Sequence, residues 1–189
     1  MALLWTDGMD RYGAAADFSS NTGYYAGNPT TFLPTGGKTG GGALRNSGFN
    51  SFRKVFATAG TLTAGGTVHF CGWFKVSTSL GGAGRILGFG TDQWGSNGGL
   101  APLVQLNTNG SLTVFPHNDG TALATSAAGV ITANVYQHIE YAAKYNTGAN
   151  GGFIKMWVNG NSVINFSGNT NVGTVPLAYN DINLGKSIK

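Results

Sequence analysis

Three alternating runs and one dipeptide constrain this chain more than any other stretch. From Val135 to Phe166 it reads VYQHIEYAAKYNTGANGGFIKMWVNGNSVINF. Within Gln137–Tyr145, one parity holds Ile139, Tyr141, Ala143 and Tyr145, and the other holds His138, Glu140, Ala142 and Lys144. A period of two makes one face mostly apolar and the other mostly polar, which is the pattern of a half-buried strand. A Gly/Asn-rich loop, Asn146–Gly152, leads to Phe153–Val158, where Ile154, Met156 and Val158 share a parity against Phe153, Lys155 and Trp157. Asn159-Gly160 then precedes a returning run, Asn161–Phe166. Asn-Gly between alternating runs is a strong hairpin signal, because a type I′ turn needs positive φ at both central residues. The stretch therefore predicts three consecutive antiparallel strands.

The rest of the chain extends that pattern. Strands are expected at Ala2–Thr6, Ala43–Arg45, Arg53–Ala57, Thr67–Ser77, Arg85–Phe89, Pro102–Leu106, Ser111–Phe115, Ala122–Thr125 and Asp181–Gly185. Asn109-Gly110 and Asn118-Asp119-Gly120 supply turns between three of them. Thr67–Ser77 is apolar on both parities, as in a central strand buried on one face and contacted on the other. Residues about 11 to 42 read as irregular, with Tyr24 and Tyr25 as anchors and GGKTGGG as a loop before a strand. Glycine numbers 32 of 189 residues without a collagen-like period, which suits the turns and bulges of an all-β chain. With about eleven or twelve short strands and turn signals roughly every ten residues, the expected fold is a two-sheet antiparallel β-sandwich, one domain over 1–189.

Charge narrows the partners. Only 10% of residues are charged, so Ser, Thr, Asn and Gly must cover much of the surface. Such a surface accepts contact with other subunits, since few charges need desolvating; a plain neutral coat is the equal alternative. The net charge of +4 reflects few acids, and only Arg53-Lys54 are adjacent among eleven scattered Lys and Arg, so no specific nucleic-acid partner is expected. Cys71, the single cysteine, reads as a buried inert thiol. MALLWTDGMD lacks a basic, apolar signal-peptide pattern, and no run is long enough to span a membrane, so synthesis in a cytoplasm without export is expected.

The order Tyr136, His138, Ile139, then Trp157, Val158, Asn159, Gly160 resembles the laminin-G-like members of the concanavalin A-like jelly-roll superfamily, over about a third of the chain counting the closing INLG. The opening MALLWTDGMDRYG resembles a group of tailed-bacteriophage structural proteins that carry this domain. The first resemblance implies a jelly roll, and the second implies a virion. In the family a further strand follows the one ending in I/L-G, whereas here Lys189 comes four residues after Gly185. This implies an assembly edge at Leu3, Leu4, Trp5 and at Ile182, Leu184, completed by another copy or a neighbouring chain. A different alignment of the end is the alternative.

The superfamily includes glycoside hydrolases, and glycoside hydrolysis needs two placed carboxyl groups. Glu140 is the only Glu among seven acids, no E-x-D-x-x-E occurs, and no expected strand carries two acids. No G-x-S-x-G nucleophile turn occurs, and His69, His117 and His138 lack metal-ligand spacing. No catalytic residue, cofactor or enzymatic activity is therefore expected. Related domains often hold Ca²⁺ at one rim, which points to Asp92, Asp119 and Asp181, although Asx-turn formation is their more ordinary role. For sugars, Trp94 in DQWGSNGG is the first candidate, then Tyr24 and Tyr25. Together these features favour a capsid decoration or tail component of a virion, with other virion proteins or further copies as partners. A lectin-like module for host-surface glycans is the alternative.

Overall fold

The computed structural model describes residues 24–26, 31–33, 35–40, 43–45, 51–55, 62–63, 66–76, 83–90, 100–116, 120–144, 146, 151–170, 178–179 and 181–187. Within them the chain forms β1 (Tyr24–Ala26), β2 (Thr31–Leu33), β3 (Ala43–Arg45), β4 (Ser51–Val55), β5 (Leu62–Thr63), β6 (Thr67–Lys75), β7 (Gly84–Gly90) and β8 (Leu100–Leu106). It continues with β9 (Leu112–Phe115), β10 (Ala124–Thr125), β11 (Tyr136–Lys144), β12 (Gly152–Val158), β13 (Asn161–Gly168), β14 (Ala178–Tyr179) and β15 (Asp181–Ser187). Seven strands form one sheet in the order β1-β4-β15-β7-β8-β9-β10, and four form another in the order β13-β12-β11-β6. Two short ladders, β14-β5 and β2-β3, complete the set. The strand total exceeds eleven or twelve because pieces of two or three residues, such as β5 and β14, carry too little pattern to read. No helix among the described residues is long and apolar enough to cross a membrane.

The alternation of the central stretch becomes β11, β12 and β13 side by side, with Ile139 opposite Val158, Tyr141 opposite Met156, and Met156 opposite Ile164. Asn159 and Gly160 take φ of 51° and 80°, as a type I′ turn requires. On the other flank β6 pairs with β11 over its full length, from Tyr136 opposite Lys75 to Lys144 opposite Thr67. The inward parity of this sheet meets Leu87, Val104, Leu106, Leu112 and Val114 of the larger sheet in one apolar cluster. Each such side chain, fully buried, contributes about 1.5–3 kcal/mol against exposure. At Gly72 the rings of Phe70 and Phe74 close over the backbone, and an added Cβ would lie 3.4 Å from both.

Two expectations are corrected here. Tyr24–Ala26 and Thr31–Leu33, read as loop, are strands; β1 pairs with β4, Tyr24 opposite Lys54 and Tyr25 opposite Arg53. The edge expected at Ile182 and Leu184 is not an edge. β15 lies inside the seven-stranded sheet, with Ile182 opposite Lys54 on one side and Phe89 on the other, and Leu184 opposite Phe52 and Leu87. Its backbone groups are engaged by β4 and β7, so no neighbour can add there. Leu3, Leu4 and Trp5 lie outside the described residues.

Candidate functional site

The outward face of the four-stranded sheet concentrates the chemistry. In β6 every odd residue is exposed and every even one half-buried, so His69, Cys71, Trp73 and Lys75 stand outward while Val68, Phe70 and Phe74 pack against the core. The register sets Lys75 opposite Tyr136, Trp73 opposite His138, and Cys71 opposite Glu140. Glu140 in turn is opposite Trp157, Ala142 opposite Lys155, and Lys144 opposite Phe153. These facing pairs have Cβ atoms about 4.5–5.5 Å apart, close enough to act on one ligand.

Local structure explains how this face is held. Asn134, with φ 61°, donates its N–H to Val76 O at 2.8 Å and so ties the entry of β11 to the exit of β6. Gln137 points inward, where its Nε2 donates to Val130 O at 2.9 Å and its Oε1 accepts from Thr132 N at 2.7 Å. Its neighbours Tyr136 and His138 are thereby turned outward. The Tyr136 hydroxyl donates to Gly36 O, which docks the turn at residues 35–40 against this end of the sheet. Thr170, fully buried, fastens the other end by donating to Lys144 O at 3.0 Å and accepting from Asn146 N at 3.1 Å.

Trp73 is the centre of the arrangement. It is 52% exposed, large for an indole on a sheet. The His138 ring lies 5.1 Å away, tilted by 50°. Lys38 Nζ sits 4.8 Å from the Trp73 ring centroid, and Lys75 Nζ 5.5 Å from that of Tyr136. Farther along, Lys155 Nζ lies 5.5 Å from the Phe153 ring. Cation–π contacts of this kind contribute about 0.5–1 kcal/mol at exposed positions. Glu140 Oε1 is 3.4 Å from His138 Nδ1. The arrangement combines an apolar ring face, suited to the C–H side of a sugar ring, with ammonium groups as hydrogen-bond donors around it.

Trp94, Asp92 and Asp119 lie outside the described residues; Tyr24, Tyr25 and Asp181 are placed by backbone register alone. No group of three His, Cys, Asp or Glu side chains suited to a metal ion occurs among the described residues. Cys71, expected to be buried, is exposed, because it shares the outward parity of β6 with Trp73. The sequence reading passed over Trp73, His138, Lys75 and Lys38 as a group. The available signal was parity: His69 and Lys75 flank Trp73 at alternate positions, which marks that side of β6 as wet.

This architecture is that of the concanavalin A-like jelly-roll sandwiches. No protein-family model matches the chain, and no curated protein matches it by sequence. Among solved structures it is similar to an endo-β-1,4-glucuronan lyase from the fungus Trichoderma reesei, at 12% identity over 86% of this chain and 75% of that one, with a TM-score of 0.53. It is also similar to the alginate lyase vAL-1 from a Chlorella virus, at 16% identity over 74% and 68% with a TM-score of 0.52. The alginate lyase Aly36B matches at 13% identity over 94% and 83%, with a TM-score of 0.50. At these identities the likeness defines the fold.

The likeness also corrects the expectation that the chain is not an enzyme. That exclusion rested on missing carboxylate pairs and hydrolase nucleophiles. The three solved structures just named are polysaccharide lyases. A lyase cleaves by elimination, which asks for a placed base and acid of any suitable type rather than two carboxylates. The scarcity of Asp and Glu therefore carries no weight against catalysis.

Proposed function

We propose that this chain binds polysaccharide on the open face of the four-stranded sheet, with Trp73 as the platform on which a sugar ring stacks. The observation that carries this reading is Trp73 itself, 52% exposed, with His138 at 5.1 Å and Lys38 at 4.8 Å. A half-exposed indole on a protein surface is otherwise a liability, and polar groups converging on it make a binding site of it. That similar solved structures are lyases of glucuronan and alginate supports a polysaccharide as the ligand class. His138, with its ring 5.1 Å from that of Trp73, is of a type suited to general acid–base work on a bound chain.

Affinity electrophoresis through gels containing a panel of polysaccharides tests the reading. Retardation by at least one polymer, lost in Trp73→Ala, is the expected result. Equal retardation of both proteins would move the site off this face, and a folded protein retarded by nothing would sink the reading altogether. Following the ultraviolet absorbance of unsaturated sugar ends in the same mixtures reports whether binding leads to elimination.

The virion setting rests on the resemblance of Met1–Gly13, which lies outside the described residues. In that setting, as a capsid decoration or tail component, the same face would adsorb a particle to host-surface glycans. Immunogold labelling of particles from the source of the gene would place the protein on them or remove this second reading.

A further inference from the structure

We infer that the ligand of this face is an anionic polysaccharide lying along the strands and bridging two basic ends of the sheet. The inference rests on the reading above that the face binds polysaccharide, and it adds the ligand's charge, direction and minimum length.

The first argument is the sign of the face. Lys38, Lys75, Lys144 and Lys155 all belong to it, against the single acid Glu140 among the described residues. This is notable in a chain with only eleven Lys and Arg in all. Among the described residues no carboxylate pairs with any of these four lysines. Three of them instead rest over aromatic rings, at 4.8 Å for Lys38 on Trp73 and 5.5 Å for both Lys75 on Tyr136 and Lys155 on Phe153. A ring holds an ammonium group in place without neutralising it. The cations are thus positioned with their charge unspent, at a cost in mutual repulsion that a bound polyanion would relieve. A neutral glycan would leave them without purpose.

The second argument is their layout. Lys75 and Lys38 stand with Trp73 and Tyr136 at one end of the β6–β11 ladder. Lys144 stands at the other end, opposite Phe153, and Lys155 stands beside it, opposite Ala142. Tyr136 and Lys144 begin and end β11, so at the usual rise per residue the two basic ends lie about 27 Å apart. Between them the surface is nearly uncharged, with Glu140 held near His138 at 3.4 Å. A short anionic oligomer can touch one end. A longer one reaches both, and the second contact then forms at high effective concentration.

The test uses polygalacturonate and dextran sulfate as anionic probes, with dextran as the neutral one, titrated into the whole chain at low and high salt. Both anionic polymers are expected to bind roughly tenfold or more tighter than dextran at low salt, and to lose most of that advantage at high salt. Lys38→Gln with Lys75→Gln, and separately Lys144→Gln with Lys155→Gln, are each expected to weaken long polygalacturonate by roughly tenfold. The Gln variants keep a polar side chain at each position and remove its charge, and thermal melts verify that they fold. A short galacturonate oligomer is expected to respond to the Lys38/Lys75 pair and not to the other. Dextran bound as tightly as the charged polymers through Trp73 would overturn the inference and leave the binding reading standing. No binding of any polysaccharide would overturn both. Single-stranded RNA outcompeting polygalacturonate for the same lysines would show the partner to be nucleic acid and overturn both as well.

Discussion

Asn159 and His138 are joined twice. The Asn159 N–H donates to His138 O at 2.8 Å, and Asn159 Oδ1 accepts from the His138 N–H at 2.8 Å. One residue thus shapes the turn, at φ 51°, and with its side chain finishes the ladder beside Trp73. Asn159→Gly retains access to positive φ and removes only the acceptor, so it is expected to cost about 1 kcal/mol in urea unfolding. Asn159→Ala loses the acceptor and strains the turn, and is expected to cost about 1 kcal/mol more. Equal losses for the two variants would mean that the turn carries no conformational demand.

Gly110 and Gly160 provide a second comparison. Both have positive φ, 77° and 80°. A Cβ on Gly160 meets nothing within 4 Å, whereas on Gly110 it would lie 2.4 Å from Ile131 O, a backbone atom that cannot swing aside. Gly160→Ala is expected to cost about 1 kcal/mol, and Gly110→Ala at least about 3 kcal/mol or outright misfolding. Comparable melting temperatures for the two would contradict the packing of residues 129–131 on the Gly110 turn.

Tyr141 supplies a pH dependence. Complete burial raises its phenol well above the ordinary value. Below about pH 10 the phenol is neutral in both folded and unfolded chains, so pH has no leverage through it. Above that, the unfolded chain gives up the proton and the folded chain keeps it. Stability must then fall as pH rises, by about 1.4 kcal/mol per pH unit from this group. Tyr141→Phe is expected to flatten that alkaline slope, whatever it does to stability at neutral pH. An unchanged slope in urea titrations from pH 9 to 11 would place the ionising group elsewhere.

Stability and binding are expected to separate cleanly on the two parities of the sheet. Ile154, fully buried in the shared cluster, should lose about 2–5 kcal/mol on replacement by Ala. Trp73→Ala removes an exposed ring and is expected to change stability by less than about 1 kcal/mol while abolishing retardation by polysaccharide. A Trp73→Ala protein that fails to fold would show the indole to be structural.

What could be read beforehand differs sharply from place to place. The hairpin at Asn159-Gly160 was fully legible, because alternation on both sides and two positive φ values leave one solution. The same dipeptide at Asn109-Gly110 announces a turn but not its kind. There Gly110 N–H donates to Asn107 O at 3.0 Å, and Asn109 Oδ1 accepts from Ser111 N at 3.0 Å. Only Gly110 of the pair has positive φ, so the connection is a three-residue loop with a left-handed glycine. The strand register, with Leu106 opposite Leu112 and Asn107 N–H donating to Ser111 O, sets that loop length, and the dipeptide alone does not contain it. β6 was found as a strand, yet its wet side was missed because Cys71 and Trp73 read as apolar. The polar residues His69 and Lys75 on the same parity mark that side as wet, and the apolar weight of Cys71 and Trp73 between them hides the mark. Lys38 was beyond sequence reasoning altogether, since its place above Trp73 depends on a turn docked through Tyr136. The interior position of β15 was likewise hidden, because strand order follows from long-range pairing and local pattern is silent about it.

That position of β15 has a bearing on how the molecule is made. β4 and β7, its two neighbours, leave the ribosome long before residues 181–187 do, and they cannot pair with each other in the finished order. Until β15 arrives, each offers an unfilled edge in a growing chain, the state most open to pairing with the wrong partner. Closure of the large sheet is therefore a late event in biosynthesis. Shortening the gene just before codon 181 should yield aggregates rather than a smaller soluble protein.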